Sequence, residues 1–208
     1  GQPLYSRLWG NGFLPSQHQG VQFRAGKDAV LYLNNPPGVK SDARREQLEY
    51  AKKLQQEQYE KFHDPEIEAR IAQYEMAFRM QMSAPEILSI NNEPDHINRM
   101  YGLDDGFSGP FGRQCLIASK LVRSGVRFVQ LYSGGNGNEQ SWDGHLNIEE
   151  NHRNFARETD QGIAALVSDL EQRGLLETTL IVCGGEFGRT SDAQGGTKGR
   201  DHNPHAFT

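Results

Sequence analysis

Four of the seven histidines fall between His145 and His205, each close in sequence to a carboxylate. Three of these belong to glycine-bearing stretches, Trp142-Asp143-Gly144-His145 and Gly199-Arg200-Asp201-His202-Asn203-Pro204-His205. A third stretch, Gly184-Gly185-Glu186-Phe187-Gly188-Arg189, lies between them. Imidazole nitrogen with carboxylate oxygen is a mixed donor set that divalent metals such as Zn²⁺ or Mn²⁺ accept. Glycine alongside lets the backbone turn tightly and approach a small anion. The plainer alternative is a set of polar loops that are simply rich in histidine.

The spacing supports convergence. Asp143 and His145 lie two apart, so both can reach one ion if the chain kinks at Gly144. Asp201 and His202 are adjacent, and His205 follows three later with Pro204 stiffening the turn. Taken alone, Asp201 reads equally as a turn residue bonding its own backbone. Glu186 stands where an apolar run ends, as a metal ligand or a general base. Its alternative is an ion pair with Arg189 or Arg200. Those two arginines suit a tetrahedral oxyanion, which a guanidinium grips in bidentate fashion, or else they are ordinary surface charge. Trp142 reads as packing over the neighbouring structure in preference to stacking on a sugar. His152, near the start of the long helix with Asn151, is expected to lie too far along to ligate, and His18, His63 and His96 are isolated surface residues.

These loops need elements to hold them. Gln114–Ser124 reads as a helix stopped by Gly125, followed by the alternating strand Val126–Tyr132 and a polar loop, Ser133–His152. A long helix from about Asn154 to Arg173 turns Ile163, Leu166, Val167 and Leu170 inward and ends at Gly174. Thr178–Cys183 is then nearly continuous apolar sequence, as buried parallel strands are. The motif loops thus leave the ends of two expected strands, the usual place for chemistry in an α/β sheet. Earlier, Ala29–Leu33 reads as a short strand and Asn35-Pro36-Pro37-Gly38 as a turn. Ser41-Asp42 can cap a polar helix reaching Phe62, with only Leu48, Ala51 and Leu54 apolar. Asp64-Pro65-Glu66 starts a second helix, whose Ile67, Ile71, Tyr74 and Phe78 form one stripe. Residues 41–82 are therefore expected as a helical hairpin. A shorter helix is expected near Pro94–Tyr101.

The 208 residues fit one ordinary domain, 1–208, with the hairpin as an insertion. Mean hydropathy of −0.72 is low for a compact enzyme and agrees with a polar insertion. The net charge of −5 argues against general affinity for nucleic acid. No apolar run is long enough to span a membrane. The start, Gly1-Gln2-Pro3-Leu4, has neither the basic nor the apolar part of a signal peptide. Cys115 and Cys183 have no metal or redox spacing and are expected to be small buried residues.

The run Asp169-Leu170-Glu171-Gln172-Arg173-Gly174-Leu175-Leu176-Glu177-Thr178-Thr179-Leu180-Ile181-Val182 resembles the helix and strand that precede a metal site in sulfatases and alkaline phosphatases. Gly184–Thr190, Gln194-Gly195-Gly196 and Gly199–His205 resemble more closely the sulfatase-like family called domain of unknown function 1501. So do Leu8-Trp9-Gly10, Gly12-Phe13-Leu14-Pro15, Gly20-Val21-Gln22-Phe23-Arg24 and Asn35-Pro36-Pro37-Gly38 in the N-terminal half. The resemblance covers the whole chain. It implies an α/β fold, the three-layer αβα sheet of the alkaline phosphatase superfamily, and export from the cytoplasm. Residue by residue, Asp143 and His145 match the first ligand loop, with a shorter spacing than usual. Glu186 matches the carboxylate at the strand exit, while Phe187 stands where a histidine ligand would be. His202 or His205 matches the late histidine, with Asp201 as a substitute ligand. The family's nucleophile lies on an upstream strand, and a further strand would follow Thr208. The chain is therefore expected to be a piece of a longer domain, inactive by itself.

The expected function is a metal-dependent hydrolase of sulfate or phosphate esters, on small molecules or extracellular polysaccharide. The metal would be Zn²⁺, Ca²⁺, Mn²⁺ or Mg²⁺, held by Asp143, His145, Glu186, Asp201, His202 and His205. Glu186, Arg189 and Arg200 would carry the catalysis. The alternative is a non-catalytic surface protein that keeps the fold and binds glycans or protein partners. The residue 41–82 hairpin as an oligomerisation arm is compatible with either.

Overall fold

The computed structural model describes residues 12–15, 18, 20, 21, 23, 38–63, 67, 89, 90, 93–134, 142–185, 188–193 and 197–206. The chain divides into two compact units, one of residues 4–89 and the other of residues 90–208 with 1–3.

The first unit carries helix α1, Ser41–Phe62, with Asp42 in its first turn and Lys61 in its last. Both charges complement the helix dipole. It ends at His63, whose left-handed φ of 51° lets its N–H reach the Tyr59 carbonyl at 2.7 Å. The sparse apolar positions have the expected consequence. Leu48 and Ala51 are only half-buried, while Tyr50 and Leu54 are exposed. Apart from Ile67, which is helical, the expected second helix lies outside the described residues, as does the expected strand Ala29–Leu33.

The second unit is built on α2 (Asp95–Met100), α3 (Gly109–Arg123) and α4 (Ile148–Gln172), followed by a 3-10 turn at Leu176–Thr178. In α3, Phe111, Cys115, Ala118 and Leu121 are buried at helical spacing, and in α4 so are Ala165, Leu166 and Leu170. A fully buried leucine such as Leu116 or Leu170 contributes about 1.5–3 kcal/mol. The helices cross closely at Gly162. A Cβ there would meet Cys115 Sγ, Phe111 Cδ1 and the Gly112 Cα, each at 3.2 Å. Gly125 and Gly174 end α3 and α4 with left-handed φ values of 86° and 69°, as their positions after each apolar run predict.

One carboxylate is embedded in this helical packing. Asp169, only 2% exposed, accepts hydrogen bonds from Tyr101 Oη (3.1 Å), Ser119 Oγ (2.5 Å) and Arg173 Nε (2.7 Å). Tyr101 follows α2, Ser119 belongs to α3, and Asp169 lies on α4. The node therefore ties three helices together.

The expected three-layer α/β sheet is not the fold of the described residues, which are mostly helical. Their only sheet pairs β1 (Gly188–Arg189) with β2 (His202–Asn203), antiparallel, with Gly188 opposite Asn203 and Arg189 opposite His202. Residues 126–134 and 179–185 run outside any helix or sheet. Each lays one apolar side chain, Leu131 or Ile181, against the helical core. Phe128 (81% exposed), Leu180 (88%) and Val182 (80%) point outward. An alternating apolar run predicts a strand only where neighbouring backbone completes the ladder. Here the runs are satisfied on one face by helices. Cys115 is buried as expected, but Cys183, on the second run, is exposed. Among the described residues, no helix is long and apolar enough to cross a membrane.

Candidate metal centre

Two loops that flank α4 in sequence are stitched together by main-chain bonds. Arg200 N–H donates to the Gly144 carbonyl (3.0 Å), and Ile148 N–H donates to that of Lys198 (3.0 Å). Thr197 Oγ1 donates to the His145 carbonyl at 3.0 Å. Gly199 must be glycine at this seam, because a Cβ would collide with the His145 carbonyl and lie 2.7 Å from Leu146 N. Across the β1–β2 pair, Thr190 N–H reaches the Asp201 carbonyl at 2.9 Å, and Asp201 N–H returns to Thr190 Oγ1 at 3.0 Å.

This seam brings Asp143, His145 and His202 together, with one donor atom from each within 4.8 Å of the others. Asp143 Oδ1 accepts from His202 Nε2 at 2.8 Å and lies 3.2 Å from His145 Nε2. The His145 and His202 rings are 4.7 Å apart, centre to centre. Arg189 donates through Nη2 to the same Asp143 oxygen (2.5 Å) and through Nη1 to the Arg200 carbonyl (2.7 Å). Burial alone would push the Asp143 carboxyl up. The hydrogen bonds from Arg189 and His202, with the nearby His145 and Arg189 charges, outweigh it and hold the group below its ordinary range. The His145 and His202 side chains are 44% and 43% exposed, so the group is open to solvent.

The donor chemistry fits a divalent ion. Ligands around a tetrahedral zinc, each about 2.0–2.1 Å from it, sit about 3.4 Å from one another. The separations of 2.8 and 3.2 Å from the Asp143 oxygen are hydrogen-bond and ion-pair distances, shorter than that edge, so the side chains would spread slightly to admit an ion. Two imidazoles and a carboxylate suit zinc, whereas Ca²⁺ and Mg²⁺ prefer all-oxygen shells. Three protein donors also leave a position open for water or substrate.

The other expected residues fall around this group. Asp201 is not one of its three donors; its Oδ1 accepts from His145 Nδ1 at 2.9 Å, on the far edge of that ring. His205 is exposed, its N–H donating to Asn203 Oδ1 at 3.2 Å, and it too stands outside the group. Arg200 turns its guanidinium back to the Gly199 carbonyl, 2.7 Å away. Glu186 and Phe187 lie outside the described residues. Trp142 packs against His152 and Phe155, with ring centres 5.5 and 5.4 Å away, and donates to Ser133 Oγ at 3.0 Å. His152 bonds the Ile148 carbonyl through Nδ1 at 3.0 Å, within its own helix. The sequence reading missed Thr190 and Thr197. No motif marks a threonine that stitches a loop to a carbonyl 52 positions away.

A helix-supported Asp/His group of this kind defines a candidate metal-binding protein. The sequence profile of the family described as protein of unknown function DUF1501 matches residues 1–208, and the chain belongs to that family. No curated protein and no solved structure matches it.

Proposed function

We propose that the chain carries a single-ion site, held by Asp143, His145 and His202, and serves hydrolysis of sulfate or phosphate esters outside the cytoplasm. The convergence of three donor atoms within 4.8 Å, one from each of these side chains, carries this reading. A bound divalent ion, Zn²⁺ by its donor set, supplies Lewis-acid polarisation of an ester oxygen. Arg189, fixed beside Asp143, keeps that carboxylate ionised and ready to ligate. It also adds positive charge where an anionic ester would approach.

The same arginine favours a second reading. A guanidinium 2.5 Å from Asp143 already supplies a cation to the carboxylate, so a metal-free scaffold that binds glycans or proteins is chemically self-consistent. Metal content separates the two. After equilibration with mixed Zn²⁺, Mn²⁺, Ca²⁺ and Mg²⁺ and dialysis, mass spectrometry should find one zinc per chain, lost in His202→Ala. A parent protein that emerges without metal sinks the hydrolase reading and leaves the scaffold. With the ion retained, sulfate and phosphate esters are the substrates to assay.

A further inference from the structure

The geometry points to Asp201 as a positioning residue for His145, acting through the ring instead of ligating the ion. This assignment rests on the reading of Asp143, His145 and His202 as a metal site.

His145 has two distinct edges. Its Nε2 faces Asp143 Oδ1 at 3.2 Å and is the nitrogen that joins the donor group. Its Nδ1 lies 2.9 Å from Asp201 Oδ1. A carboxylate can only accept, and this contact is shorter than the 3.2 Å between Nε2 and Asp143, so it favours a proton on Nδ1. A neutral imidazole has one proton and one lone pair, and fixing the proton on Nδ1 leaves the lone pair on Nε2. Asp201 thereby selects the tautomer that can ligate and sets the ring's rotation. A carboxylate bonded to the remote nitrogen also raises the ligand's basicity, as partners of metal-bound histidines generally do.

The main chain makes Asp201 suited to this. Its N–H and carbonyl are both taken by Thr190, at 3.0 and 2.9 Å, so the residue's position does not depend on its side chain. The carboxylate is held at a fixed height on one side of a ring whose own carbonyl is anchored by Thr197. His202, one residue later, enters the donor group directly. The adjacent pair Asp201-His202 thus divides the work: one residue ligates, and the other aims the ligand opposite.

Two variants test this on the whole chain, titrated with zinc against a competing chelator. Asp201→Asn keeps an oxygen to accept from Nδ1, whereas Asp201→Ala removes it. Asp201→Ala should weaken zinc binding about 10–100-fold, and Asp201→Asn should recover most of the loss. Imidazole nitrogen NMR of the zinc-loaded protein should show His145 bound through Nε2, with a proton retained on Nδ1. Unchanged affinity in Asp201→Ala overturns the assignment while leaving the metal site intact. Equal, severe losses in both variants overturn it the other way, by making Asp201 itself a ligand. Should the parent bind no zinc, the metal reading falls, but positioning is still decided by NMR of the metal-free protein at alkaline pH. A neutral His145 protonated on Nδ1 in the parent, and redistributed in Asp201→Ala, sustains it. A ring protonated on Nε2 refutes it.

Discussion

Asp169 and Asp143 each gather three nitrogen or oxygen donors, yet they sit in opposite kinds of surroundings. Asp169 is sealed among α2, α3 and α4, and two of its donors are the hydroxyls of Tyr101 and Ser119. Asp143 lies on an open loop, and two of its neighbours are imidazoles. Burial pushes the Tyr101 phenol up, with the Asp169 carboxylate adding to it, so this hydroxyl keeps its proton and stays a donor. An imidazole nitrogen can instead release its proton and offer a lone pair to a metal. The first carboxylate is built to hold its partners permanently, and the second can exchange them.

The largest separation of the two should appear on deletion. Asp169→Ala leaves two buried hydroxyls and an arginine without their acceptor, and should cost about 3 kcal/mol in urea unfolding. Asp143→Ala, at a solvent-screened site, should cost less than about 1 kcal/mol in the metal-free protein while abolishing metal retention. Comparable losses of stability from the two would erase the distinction.

Acid gives a smaller contrast. At Asp169 burial pushes the carboxyl up, but the bonds from Ser119, Arg173 and Tyr101 prevail and lower it; Asp143 is lowered too. A folded value below the unfolded one, about 3.9, contributes stability that is present above that pH and is lost as pH falls through the folded value. Unfolding midpoints followed from about pH 6 to about pH 3 should therefore drop less steeply in Asp169→Asn than in the parent. A parent-like slope would show that folding leaves the proton affinity of the Asp169 carboxyl unchanged.

Within the buried node a smaller loss than that of Asp169→Ala is expected of Tyr101→Phe, which removes one of three donors and should cost about 1 kcal/mol. A loss as large as that of Asp169→Ala would mean that the phenol alone organises the node.

The helices were legible because their signals are local. Gly125 and Gly174 stop α3 and α4 where the chain needs a left-handed residue, whereas α3 begins at Gly109 and α4 at Ile148, ahead of the expected Gln114 and Asn154. The sheet was not, because Val126–Tyr132 and Thr178–Cys183 carry strand-like composition but pairing depends on distant backbone. The strands among the described residues are only two residues each, too short for any alternation to show. At the site, residue type and glycine spacing marked Asp143, His145 and His202 correctly as neighbours in the structure. What they could not show is that Asp201 faces the Nδ1 edge of His145, because chemistry alone does not say which edge of an imidazole a carboxylate will meet. His205 shows the same limit. Sequence proximity to His202 placed it near the group, and the turn carried it outside.

The seam between residues 144–148 and 197–200 is made largely of main-chain bonds, none of which needs an ion to form. Binding energy at such a place is not spent on ordering the chain, in contrast to small zinc domains that fold only around their metal. Changing Asp143, His145 or His202 would therefore alter any ion binding while the main-chain bonds beneath stay in place.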